Sequence, residues 1–233
     1  MFRPHPIQQF ESSVIAIEDV SDTVRHFTFS VPEDFAFSAG QFVTILFEKD
    51  GNKYRRQYSI FSSPSQKQSI VISVKFIENG PGSLFLWNLQ KGDMVKMMAP
   101  LGVFVVRDEH KTGPLVFIGV GTGVAPFVSM IRDLLEQSYP HQITLICGHR
   151  HTILYEKILQ KLANEYDQFT YIPVLSKPEQ PFKHTGYVQD FLPPIDSQTH
   201  VYICGLYKMI EQVVHAVKAQ GVLKTCIHFE RYD

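Results

Sequence analysis

A continuous apolar run, Leu115–Val120, passes straight into Gly121-Thr122-Gly123 and then into a helical pattern. A strand that is apolar on both faces is buried on both, as in a parallel sheet covered by helices. The following segment repeats apolar residues at Val124, Phe127, Val128, Ile131, Leu134 and Leu135, the i, i+3, i+4, i+7 spacing of an amphipathic helix. Pro126 falls in its first turn, where a missing N–H leaves no bond unmade. The same alternation continues to residue 229. It predicts strands over 143–147, 170–175, 200–204 and 225–229, with helices over 154–164 and 208–219. Strand–helix alternation of this kind specifies a doubly wound α/β nucleotide-binding sheet.

The residues before this run have a different rhythm. Segments 13–17, 24–30, 41–47, 54–61 and 69–76 are rich in Val, Ile, Phe, Tyr and Thr. They are separated by Pro32-Glu33-Asp34, Ala39-Gly40, Asp50-Gly51-Asn52 and Ser63-Pro64-Ser65. A short helix or turn is expected over 84–89 and another strand over 94–98. Short strands at this spacing predict a small antiparallel β-barrel or sandwich. The charged stretch 107–112 and Gly113-Pro114 mark the boundary, giving domains over 1–110 and 111–233.

Composition excludes several classes. The net charge is −1 and no basic run exceeds Arg55-Arg56, which argues against nucleic acid. Met1–Pro6 carries no apolar core of export-signal length, and no stretch reaches the ~18 apolar residues of a membrane span. A soluble cytoplasmic protein is the expectation. Cys147, Cys204 and Cys226 lack C-x-x-C spacing, so they build neither a disulfide framework nor a zinc knuckle. Three thiolates also fall short of an iron–sulfur cluster, which would have to reside on another protein.

Two segments suggest chemistry. In Gly119-Val120-Gly121-Thr122-Gly123 the glycines admit a dinucleotide to the backbone beside a helix N-terminus, although a plain tight turn has the same composition. The next strand ends in Gly148-His149-Arg150-His151. No carboxylate is there for a ribose hydroxyl, and Arg150 reads either as a phosphate ligand or as an exposed loop residue. In the first half, Arg56-Gln57-Tyr58-Ser59 combines a guanidinium fork, an aromatic ring and a hydroxyl. Taken alone it is a strand of alternating polar and aromatic residues.

These segments occur together in the order of a known family. Arg56-Gln57-Tyr58-Ser59 resembles the R-x-Y-S flavin motif of the ferredoxin–NADP reductase family, and Gly80-Pro81-Gly82-Ser83 resembles its G-x-x-S pyrophosphate corner. Gly121-Thr122-Gly123-Val124-Ala125-Pro126 is similar to its G-T-G-x-A-P nicotinamide segment. Tyr202-Ile203-Cys204-Gly205 is similar to Y-x-C-G, and His228-Phe229-Glu230-Arg231-Tyr232 to the plant-type H-x-E-x-Y ending. The resemblance runs from about Ser13 to Tyr232.

That resemblance implies an FAD-dependent NAD(P)H oxidoreductase in which a flavin barrel precedes a nucleotide domain. Arg56 would bind the flavin phosphate, with Gln57 beside it. Tyr58 would stack on the isoalloxazine and Ser59 would bond near its N5. The backbone of Ile72, Val74 and Lys75, with Gly82 and Ser83, would hold the rest of the FAD. Gly121, Thr122 and Gly123 would line the nicotinamide pocket. Cys204 and Gly205 would pack against the nicotinamide, Glu230 would orient it or relay protons, and Tyr232 would cover the flavin face. Two departures from the plant-type pattern stand out. Asp233 follows the tyrosine, and Ser176-Lys177 replaces a Ser-Arg pair for the 2′-phosphate. Lys177 keeps the charge but loses the fork. With Arg150 it favours NADP(H) over NADH.

The implied partner is an acidic one-electron carrier, ferredoxin or flavodoxin, drawn to Lys53, Arg55, Lys75 and Lys183, or an oxygenase component. Other readings are a free flavin reductase, a non-catalytic electron-transfer subunit and a flavin-free dehydrogenase. The Gly80–Ser83 corner argues against the free flavin reductase, which has no need to grip a pyrophosphate. The sequence leaves the oligomeric state open.

Overall fold

A computed structural model describes residues 5–232, so part of the opening segment and Asp233 lie outside the described residues. These form two compact units. One takes the residues up to 105 together with 128–133; the other takes 106–127 and 134–232.

The first unit is an antiparallel barrel. Its strands are β1 (Gln8–Ser21), β2 (Val24–Ser30), β3 (Phe42–Lys49), β4 (Asn52–Ser59), β5 (Ser69–Lys75) and β6 (Met94–Leu101). They lie in the order β4-β3-β6-β1-β2-β5. The two ends of this sheet meet where Ile60 bridges Ile72 and the Phe61 N–H donates to the Val71 carbonyl at 2.7 Å, which closes the barrel. Alternate residues Phe27, Phe29, Val43, Ile45, Ile70, Ile72, Val95 and Met97 point inward and form the core. Between β3 and β4 the turn residues Asp50 and Gly51 both have positive φ, 51° and 73°, as a tight hairpin demands.

β1 is longer than the segment 13–17 read from the sequence. Its polar first half, Gln8–Ser13, pairs with β6, and its second half pairs with β2 after a register shift between Val14 and Ala16. Cross-strand bonds rather than hydrophobic alternation make that first half a strand. The short helix α1 (Pro81–Trp87) starts earlier than expected, with proline at its first position.

The second unit is a five-stranded parallel sheet. β7 (Leu115–Val120) is followed by a 3₁₀ turn (Gly121–Val124) and α2 (Ala125–Glu136). Then come β8 (Ile143–His149), α3 (Glu156–Glu165), β9 (Phe169–Leu175), β10 (His200–Gly205), α4 (Tyr207–Ala219) and β11 (Ile227–Arg231). The order is β11-β10-β7-β8-β9, so the chain winds outward from β7 first to one side and then to the other. Ligands of such sheets bind beyond the carboxyl ends of the strands flanking the switch, here β7 and β10. Among the described residues no helix is long and apolar enough to cross a membrane.

His26 on β2 lies 4.4 Å from the Phe61 ring, and burial lowers its pKa from 6.5 to about 4. Below pH 6.5 the unfolded chain therefore binds a proton that the folded one refuses, and stability falls as pH drops towards 4. His26→Gln should flatten this fall by on the order of 1–3 kcal/mol, read from urea midpoints between pH 7 and pH 4.5. An equally steep decline in both proteins would contradict the assignment.

Candidate functional site

In the barrel unit, β4 presents Arg56 and Gln57 to solvent, Tyr58 half-buried and Ser59 buried. The first turn of α1 packs directly on this strand. A Cβ on Gly82 would stand 2.6 Å from the Tyr58 hydroxyl and 2.8 Å from Arg56 Cγ, so only glycine allows the approach. Two motifs distant in sequence thus become one surface. The Ser83 hydroxyl accepts from the Ile77 N–H at 3.0 Å and lies 2.9 Å and 3.1 Å from the Ile77 and Gly80 carbonyls. It holds the corner together, and what the corner offers a ligand is its backbone. The first intrahelical bond is from the Leu84 N–H to the Gly80 carbonyl, which leaves the Gly82 and Ser83 amides ahead of it.

The Arg56 guanidinium lies 5.4 Å from the Tyr54 ring centre, with Nη1 donating to the Arg55 carbonyl at 2.8 Å. Burial pushes the Tyr58 phenol up to about 12 against the opposing pull of Arg56, so the ring stays neutral. Ile72 and Val74 send their side chains into the barrel core, and only their backbone is available; Lys75 is exposed. A cationic fork, free-standing amides and a half-buried aromatic ring beside a glycine cradle fit the phosphates and ring system of FAD.

In the α/β unit the site assembles where β7, β10 and β11 end. A Cβ on Gly123 would lie 2.7 Å from the Cys204 carbonyl oxygen, so the glycine turn rests on the backbone of β10. Gly121 takes φ +56° and Thr122 is half-exposed beside it. Cys204 pairs in register with Glu230 of β11. The Tyr232 N–H donates to the Gly205 carbonyl at 3.1 Å, and its side chain hydrogen-bonds Cys204. The structure therefore brings Gly123, Cys204, Gly205, Glu230 and Tyr232 together.

Burial, reinforced by the Glu230 charge, drives the Cys204 thiol well above its usual range, so it is a neutral packing group and not a thiolate nucleophile. Burial also raises the Glu230 carboxyl to about 7. The sequence reading did not single out Val120. This residue wedges between Gly148 and Gly205, whose added Cβ atoms would meet its methyl groups at 2.9 and 2.6 Å. Its place between Gly119 and Gly121 was the available signal.

Arg150 and Ser176-Lys177 converge at the ends of β8 and β9. The Lys177 N–H donates to the Arg150 carbonyl at 2.8 Å and the Ser176 N–H to the His149 carbonyl at 2.9 Å. Both cationic side chains are exposed. Between these segments and the core, His149 is buried and neutral, held down to about 4 by desolvation, with Nε2 2.9 Å from Cys147 Sγ.

Comparison with known proteins agrees with both halves. Residues 11–106 match the oxidoreductase FAD-binding domain and residues 117–215 the oxidoreductase NAD-binding domain. Ferredoxin--NADP reductase B of Sorangium cellulosum is 32% identical over 241 residues, covering 97% of this chain and 98% of that protein. The phenol 2-monooxygenase reductase component DmpP of a Pseudomonas species is 31% identical over 99% of this chain and 67% of its own length. The crystal structure of the Amycolatopsis cytochrome P450 reductase GcoB superposes with a TM-score of 0.87 at 28% identity, over 97% of this chain and 70% of that one. With a relative of that identity aligned along nearly its full length, and an FAD-binding and an NAD-binding domain in this order, the chain belongs to the ferredoxin–NADP reductase family and is an FAD-dependent NAD(P)H oxidoreductase.

Proposed function

We propose that this chain oxidises NADPH in preference to NADH and passes the electrons singly to an acidic carrier, a ferredoxin or flavodoxin, with the flavin side in residues 1–110 and the nucleotide side in 111–233. The observation that carries the nucleotide preference is the bond from the Lys177 N–H to the Arg150 carbonyl, which sets the backbones of two exposed cationic residues side by side where β8 and β9 end. A 2′-phosphate there gains two charge-assisted contacts that a 2′-hydroxyl cannot make. The absence of a carboxylate in Gly148-His149-Arg150-His151 supports the same preference.

Bound FAD supplies acceptance of a hydride and release of single electrons. The protein's own groups bind and align. Arg56 and the Gly82 and Ser83 amides neutralise phosphate, while Gln57 borders them on β4. Tyr58 offers a ring face, and Ser59 a hydroxyl at the buried end of the strand. The backbone of Ile72, Val74 and Lys75 lines β5, the terminal strand of the sheet order. Gly121, Thr122 and Gly123 receive the nicotinamide beside Cys204 and Gly205. The neutral Cys204 sets packing distance, and Glu230 holds or releases a proton near neutrality. Tyr232, bonded to Cys204, moves aside for the ring. Rate then depends on holding donor and acceptor within about 3–3.5 Å.

Exposed Lys53, Arg55 and Lys75 lie on β4 and β5, the strands that carry the flavin-side residues, and favour an acidic partner; Lys183 adds charge on the other unit. The match to Ferredoxin--NADP reductase B supports that partner class. The likeness to DmpP favours one second reading, the reductase component of an oxygenase system, which shares this chemistry and differs in the protein it reduces. Three cysteines, all free and buried, favour a reducing, cytoplasmic setting.

The purified protein should show flavin absorbance that bleaches anaerobically with one equivalent of NADPH and more slowly with NADH. A colourless protein that takes up no added FAD would overturn the proposal. Cys204→Ala should slow the bleaching by about 10–100-fold with FAD content intact; equal stopped-flow rates would remove Cys204 from alignment. Arg150→Ala and Lys177→Ala should each raise KM for NADPH by about tenfold and leave NADH unchanged. An unaltered NADPH/NADH ratio in both variants would exclude these residues from 2′-phosphate recognition.

A further inference from the structure

Three histidines outside the nucleotide site meet at the opposite end of the parallel sheet. His200 opens β10, and His228 is the second residue of β11. His110 closes a 3₁₀ turn, Asp108–His110, that precedes β7. Their potential donor atoms all lie within 4.8 Å of one another. His200 Nδ1 and His228 Nε2 are 2.9 Å apart. The His110 ring centre lies 4.1 Å from that of His200 and 4.4 Å from that of His228.

We infer that His110, His200 and His228 form a binding site for one borderline divalent cation of the zinc type. Two nitrogens each about 2.0–2.1 Å from a common ion, at tetrahedral or octahedral angles, stand about 2.9–3.4 Å apart. His200 Nδ1 and His228 Nε2 already have that separation. The ring that now donates in this pair carries its proton to its other nitrogen, and both rings tilt so that their lone pairs turn from each other towards the ion. The third donor comes from His110, whose ring stacks on the other two and must tilt about its Nδ1–Tyr202 contact to turn a lone pair towards the ion. Imidazole donors with no thiolate suit Zn²⁺, Cu²⁺ and Ni²⁺ and not Mg²⁺ or Ca²⁺.

The surroundings fit ligation. Tyr202 Oη lies 2.6 Å from His110 Nδ1, so a hydrogen-bond partner is in place for that nitrogen while Nε2 goes to the ion. Tyr202 is itself fixed, almost fully buried and stacked on Phe117 at 5.4 Å and on His228 at 4.7 Å. The Glu109 carboxylate on the same exposed turn lies 3.8 Å from Arg107 and outside the cluster of donor atoms, so water is the fourth ligand.

An ion here would tie three separate segments together: the turn before β7, and the starts of β10 and β11. It would also connect to the nicotinamide side. His200, Tyr202 and Cys204 alternate along one face of β10, and His228 and Glu230 along β11, with Tyr202 opposite His228 and Cys204 opposite Glu230. One buried ring, Tyr202, separates the histidines from Cys204.

The test uses FAD-loaded protein dialysed against a chelator, titrated with Zn²⁺ by calorimetry and with Cu²⁺ by electron paramagnetic resonance. One equivalent of Zn²⁺ should bind, and the Cu²⁺ spectrum should show splitting from several nitrogens. His110→Gln and His200→Gln should each weaken Zn²⁺ binding by about tenfold or more with unchanged FAD per chain. His215→Gln, on the exposed side of α4, should leave it as it was. Absence of saturable Zn²⁺ binding in the parent, or equal affinity in the parent, His110→Gln and His200→Gln, would overturn the site.

Discussion

A methyl group on Gly123 would stand 2.7 Å from the Cys204 carbonyl oxygen, and everything on the nucleotide side depends on its absence. The turn that leaves β7 is pressed on the backbone at the end of β10, and β10 in turn carries β11 in parallel register. Cys204 is thereby buried, Glu230 is drawn into the same desolvated corner, and Tyr232 is tied to Gly205 and Cys204. Any side chain at position 123 would force the turn off the strand and open that corner to water.

The barrel repeats the device with different parts. At Gly82 the missing side chain lets α1 rest on Tyr58 and Arg56. The ionisable groups follow from this packing. The phenol of Tyr58 and the thiol of Cys204 are held neutral because their charged forms would be desolvated. The same burial raises the Glu230 carboxyl to about 7. In a family with an FAD-binding and an NAD-binding domain, the electron chemistry belongs to those cofactors.

Much of the fold was legible because its signals are local. β2 and β7 coincide with the runs read from the sequence, since β2 is rich in β-branched and aromatic residues and β7 is a continuous apolar run ending at a glycine turn. The first half of β1 was not, because Gln8, Gln9, Glu11, Ser12 and Ser13 carry no apolar alternation and become a strand only by pairing with β6. Of the candidate site, the motif residues are proposed through family resemblance, and the structure adds which of them stand together. Val120 was marked only by Gly119 and Gly121 on either side of it, and that Gly148 and Gly205 make room for its methyl groups is seen only in space.

The sequence alone determined two stretches of different rhythm and a glycine turn after a buried strand, because spacing and side-chain chemistry are properties of the chain itself. Tertiary structure decided the rest. It spent the Ser83 hydroxyl on its own corner, joined Lys177 to Arg150, and raised Glu230 to about 7. It also gathered His110, His200 and His228 from distant segments. The reason is common to all four: hydrogen-bond partners, desolvation and ligand distances are set by which segments the sheet brings together, and register across strands is not written in any one of them.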